Sequence, residues 1–211
     1  MMTDLFEGAP TFGDPLGMLR ACHRRIERAL EVTERIAVLE HEGPLDEKAR
    51  EALAATLRYF GVGVPRHSAD EDESLFPRLR AAGDIGGAAD TAERLAEEHE
   101  LLGTAHREID ALGQELLSTG RFSCADRRAR FGLLIERLRT LYGEHIRVED
   151  EELFPAAERA LDPAELEAVG AEMAARRGID WQQHRRALSQ LPHGRSGSAA
   201  ARPPVAKPGG G

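Results

Sequence analysis

The chain has 211 residues, of which 31% are charged and 5% aromatic, and it carries a net charge of −9. That length allows one domain with a substantial core, and the composition suits helices. An acidic chain lacks the basic surface that phosphate backbones demand, which argues against nucleic acid as main partner. With no run of about 18 apolar residues and no signal-peptide-like start, neither a membrane span nor export is expected, and a cytoplasmic location is.

Residues 1–13 read as a flexible lead-in. Asp14-Pro15 is a helix start, with Asp as N-cap and Pro in the first turn, and Leu16, Leu19, Ile26, Leu30, Ile36 and Leu39 form one apolar stripe to about residue 41. A second helix is predicted over about 45–80, with a kink at Gly61-Val62-Gly63-Val64-Pro65 because proline lacks a backbone donor. A third is predicted over about 88–118 and a fourth over about 124–158. Asp162-Pro163 opens a short fifth helix to about Arg177, within an appended segment 161–190. The tail, 191–211, is rich in Gly, Pro and Ser and reads as disordered. Cys22 and Cys124 lie far apart, form no C-x-x-C, and read as free thiols.

One eleven-residue pattern occurs twice, from His67 through Glu71 to Leu75-Phe76-Pro77 and from His145 through Glu149 to Leu153-Phe154-Pro155. A His and a Glu four residues apart share one helix face, about 6 Å apart along the axis, and can chelate one metal site. His23 precedes His67 by 44 residues and His99 precedes His145 by 46. The midpoints of these gaps, and of the gap between His67 and His99, fall in turn-forming stretches near residues 45, 122 and 83. A chain that climbs, turns and descends equally brings all four histidines to one level. The expected fold is therefore all-α, an antiparallel up-down-up-down four-helix bundle over 14–160 with a short extra C-terminal helix.

Imidazole and carboxylate without thiolate suit iron, manganese or zinc. If Glu71 and Glu149 bridge two ions, each ion takes two histidines and two carboxylate oxygens, and a solvent-derived bridge leaves a further position open on each. Of the remaining acidic residues of the two boxes, Asp72, Glu73, Glu151 and Glu152 turn away from their histidines and read as surface charges. His41, His184 and His193 have no matched partner and read as ordinary histidines. Tyr59 and Tyr142 read as core tyrosines with a hydroxyl partner, and Leu75, Phe76, Leu153 and Phe154 as a dry apolar shell.

These features make the chain similar to the hemerythrin-like proteins of the HHE cation-binding family. The likeness rests on His23, the His67/Glu71 box, His99 and the His145/Glu149 box, over about residues 14–160. It implies a non-haem centre of two iron ions, oxo- or hydroxo-bridged, with these six residues as metal ligands and a small diatomic ligand or peroxide as partner. In dioxygen-carrying hemerythrins a further histidine follows the third-helix ligand by one turn. Gly103 stands there in this chain, which shifts the expectation from dioxygen carriage toward peroxide or nitric oxide chemistry, sensing, or iron handling. His106 returns to the same face, but about 10.5 Å further along the axis, making it a weaker candidate ligand than a pocket-lining residue.

Overall fold

The computed structural model describes residues 11–83 and 86–189, and among these every regular element is helical. Helix α1 (Pro15–Glu42) begins as expected, the Asp14 carboxylate accepting from the Gly17 N–H at 2.9 Å. The second stretch is helical throughout 47–81 but changes pitch twice: α2 (Glu47–Arg58), a π turn at Tyr59–Gly63, α3 (Val64–Asp70), a second π turn at Glu71–Leu75, and α4 (Phe76–Ala81). Helix α5 (Ala88–Thr119) follows and stops at Gly120, whose φ of 76° favours a residue without Cβ. Then come α6 (Ala125–Val148), a third π turn at Glu149–Leu153, and α7 (Phe154–Ala160).

The three π turns share one local cause. Each ends two residues before a proline, at Gly63 before Pro65, Leu75 before Pro77 and Leu153 before Pro155. The proline ring clashes with the carbonyl four residues back, and widening the turn relieves that clash. The residue preceding each proline then donates to the carbonyl five residues back, as Val64 does to Tyr59, Phe76 to Glu71 and Phe154 to Glu149. The kink expected at Gly61–Pro65 is thus a widened turn within continuous helix. The two boxes carry the same device, which their sequence did not lead one to expect.

Helix α8 (Pro163–Ala175) opens with a capping box between Asp162 and Glu165, as the Asp-Pro signal implied. A further helix, α9 (Trp181–Ser189), was not expected. The Trp181 ring is buried edge-on against Phe12, so Phe12 is packed although it falls in the stretch read as a loose lead-in. Gly170 admits this arrangement, since a Cβ there would stand 1.8 Å from the Phe12 carbonyl oxygen. Residues 1–10 of the expected lead-in, and residues 190–211 with the expected tail and His193, lie outside the described residues.

Helix α1 packs on α2 and α6, α5 packs on α2 and α6, and α8 packs on α1 and the turn at Glu71–Leu75. The apolar interior falls into two clusters. On α1 one cluster ends at Leu19 and the other begins at Ile26; on α5 the corresponding bounds are Leu95 and Leu102. In the second stretch they are Val64 and Leu75. His23, His99 and His67 each fall within these gaps, so the candidate ligands form a polar layer between two apolar cores. No helix among the described residues is long and apolar enough to cross a membrane.

Candidate metal centre

Six side chains converge in that layer, each all but withdrawn from solvent: His23, His67, Glu71, His99, His145 and Glu149. Their ligating atoms fall into two overlapping groups, each with its atoms within 4.8 Å of one another. One contains His23, His67, Glu71 and Glu149; the other contains His99, His145 and Glu149. Glu149 belongs to both, with Oε2 3.0 Å from His23 Nε2 and Oε1 3.2 Å from His145 Nε2. Glu71 Oε2 lies 3.4 Å from Nε2 of both His67 and His99. The Nε2 atoms of His99 and His145 are 3.1 Å apart.

Helix geometry explains why the boxes deliver these atoms. His67 and Glu71, like His145 and Glu149, are one α turn apart, and each Glu starts a π turn that carries the following Leu-Phe inward. The Phe rings cross to the other half: Phe154 stacks on His23, with planes 11° apart, and Phe76 on His99, with planes 3° apart. Leu75, Phe76, Leu153 and Phe154 are all buried, the dry shell that was expected.

The imidazoles are held from behind by carboxylates that the spacing of the boxes assigns to the surface or leaves unremarked. His23 Nδ1–H donates to Asp150 at 3.0 Å and His99 Nδ1–H to Asp72 at 2.9 Å, while His145 Nδ1–H donates to Glu98 at 2.9 Å. Asp72 is therefore not a free surface charge. It follows Glu71 as Asp150 follows Glu149, and being rotated about 100° from its own box it reaches the lone histidine of the other half. The repeated Glu-Asp pair in the two boxes was the available signal. Such partners fix the tautomer, leaving Nε2 free toward the centre.

The charges fit a cation. Both oxygens of Glu71 and of Glu149, together with His23 Nε2, are buried with no hydrogen-bond partner among the described residues, although buried polar atoms are normally satisfied. Burial opposes charge on His23, but its hydrogen bond to Asp150 and the Glu149 carboxylate beside its Nε2 outweigh this and raise it to about 10. His99 is likewise raised to about 10 against burial, through Asp72 and Glu71. Burial, aided by the Glu149 charge, pushes Glu71 up to about 7. For Glu149 burial is outweighed by His145 and His23, which hold it below the usual carboxylate range. Burial and the neighbouring His23 depress His67. Two inward carboxylates thus draw protons onto imidazoles, and a bound divalent cation would take the place of those protons.

The other candidates lie elsewhere. His106 Nε2 meets the Tyr142 hydroxyl at 2.8 Å, and His106 belongs to neither group of converging donors. Its ring packs on Phe60, and burial pushes it down to about 4. The Tyr59 hydroxyl donates to the Cys22 carbonyl at 3.2 Å. Cys22 is buried and Cys124 exposed, both free, and His41 is exposed. A cavity of about 700 Å³ between the second helical stretch and α5 reaches Asp72, His99, Gly103 and His106.

The model of the hemerythrin HHE cation binding domain matches residues 14–157, and the chain belongs to this family. It is also 28% identical over 170 residues to an uncharacterized protein of Haemophilus influenzae, covering 80% of this chain and 93% of that one. The His/Glu cluster fits the cation binding that membership of this family implies, with iron as the metal that family and donor set favour.

Proposed function

We propose that this chain is a non-haem diiron protein that binds or senses dioxygen, nitric oxide or a peroxide. The observation that carries the reading is that Glu149 belongs to both ligand groups, while Glu71 lies at equal distances from a histidine of each half. His23 and His67 would hold one iron and His99 and His145 the other, with the two glutamates between them. Iron in such a site supplies reversible binding and electron transfer toward small oxidising or diatomic molecules. The protein keeps water scarce with Phe76 and Phe154 and orients the imidazoles through Asp72, Asp150 and Glu98. The fold that goes with this reading is an antiparallel up-down-up-down bundle, supported by the short connections near 43–46, 82–87 and 120–124.

Gly103 favours a second reading, an enzyme that consumes peroxide or nitric oxide. A Cβ there would meet Arg107 Nη1 at 3.6 Å and nothing nearer, and the cavity runs past it to His99. The test is the iron content and absorption spectrum of protein from iron-replete cells, beside His67→Ala and His145→Ala. Roughly two irons per chain with charge-transfer bands, lost in both variants, are expected. A colourless, iron-free native protein would sink the reading, and sustained peroxide consumption would move it to the enzyme.

A further inference from the structure

Asp70, directly before Glu71, is fully buried and is held by two arginines just past the end of α8. Arg177 donates to it from Nη2 at 2.7 Å and Nη1 at 3.1 Å, and Arg176 from Nη1 at 3.0 Å. Arg176 also donates to Glu73 at 3.0 Å and to the Ser74 hydroxyl at 2.7 Å. These contacts grip the π turn that carries Glu71 at both ends. A carboxylate withdrawn from water is stable only while its cations stay in place, so the docking of the arginines and the position of Asp70 are coupled.

Among the described residues the second half has only a looser counterpart, Arg20 of α1, which lies 3.9 Å from the partly exposed Asp150 and over the Phe154 ring. Val148 stands before Glu149 where Asp70 stands before Glu71, and Glu151 and Glu152 are exposed and pair with Arg147 of their own helical stretch. Both arginines fall beyond residues 14–157, the span of the family match. The π turn departs from α pitch, the Phe76 N–H donating to the Glu71 carbonyl five residues back.

From this asymmetry we infer that Arg176 and Arg177 lock the metal in place, positioning Glu71 through Asp70, so that their release opens the first half of the centre to metal exchange. The inference rests on the metal reading above. Its first test does not need metal: amide hydrogen exchange of the metal-free chain is compared with R176Q/R177Q and with D70N/R176Q/R177Q, in which no unpaired buried charge remains. Exchange over residues 67–76 rises roughly tenfold or more in both variants, and that over 145–154 is unchanged. With iron loaded, transfer to a chelator speeds by a similar factor in both, while D70N returns the thermal midpoint toward native. Unaltered exchange at 67–76, or native-like iron release in the triple variant, overturns the lock. A native chain that takes up no iron overturns the metal reading instead, and the exchange measurement then decides alone whether the arginines govern the Glu71 turn.

Discussion

The two halves present the same candidate ligands on the same local framework but support them differently. His23 and His99 are exchanged partners, each backed by the aspartate of the opposite box and faced by its phenylalanine. His67 and His145 are not equivalent: His145 Nδ1–H donates to Glu98, whereas His67 Nδ1 has no hydrogen-bond partner among the described residues. Glu98 precedes His99, and the residue preceding His23 is Cys22, buried and unable to serve as a strong acceptor. The first half instead has Asp70 and its arginines. The metal reading asks the same donors of both halves, while each half finds its own means of holding them still.

The largest effect that would break this picture comes from the shared residue. Glu149→Ala removes an oxygen from both ligand groups, so iron should be lost from both positions, read as metal per chain. Retention of one full equivalent would mean that the halves bind independently.

Next in size are the backing carboxylates. Asp72→Ala and Asp150→Ala should each weaken metal binding by about 10- to 100-fold, and by similar amounts, because their roles are exchanged copies. Glu98→Ala should weaken it as well, in competition with a chelator of known affinity, whereas no substitution at Cys22 should match that loss. Equal losses at positions 22 and 98 would contradict the asymmetry.

A third effect concerns protons away from the ligands. Burial holds His106 at about 4, below its ordinary 6.5. Between those values the unfolded chain binds a proton that the folded chain excludes. This contribution to stability is therefore complete above pH 6.5 and is lost as pH falls toward 4, amounting to about 3 kcal/mol. His106→Gln can still meet the Tyr142 hydroxyl but does not titrate. Denaturant unfolding of the two proteins should therefore diverge across that window, and parallel curves would refute the burial argument.

How legible each feature is in the sequence follows from how it is encoded. Ligand spacing, apolar stripes and turn residues are local, so residue spacing alone places His23, His67, Glu71, His99, His145 and Glu149 at one level, between what proved to be two apolar clusters. Asp72, Asp150 and Glu98 act across helices, and their rotation away from their own ligand gives them the look of solvated charge. The arginines of the lock sit some 106 residues from Asp70, beyond the reach of any local pattern. Proline signals a disturbance at Pro65, Pro77 and Pro155 alike, but the residue pattern alone does not distinguish a broken helix from a widened turn.

The smallest expected change in stability gives the sharpest chemical comparison. Gly103→His places an imidazole one turn beyond His99, in space where a Cβ comes no closer to a neighbour than 3.6 Å. The substitution should alter stability by under about 1 kcal/mol, because glycine is a poor helix former and the site is open. If Gly103 leaves the second half more open than the first, the added ring should fill that position. Azide, used as an exogenous ligand, should then bind the iron-loaded variant more weakly than the native protein, by difference spectroscopy. Unchanged azide affinity with unchanged stability would mean that the imidazole stays in the cavity, and that the openness of the centre is set by Phe76, Phe154 and their neighbours rather than by Gly103.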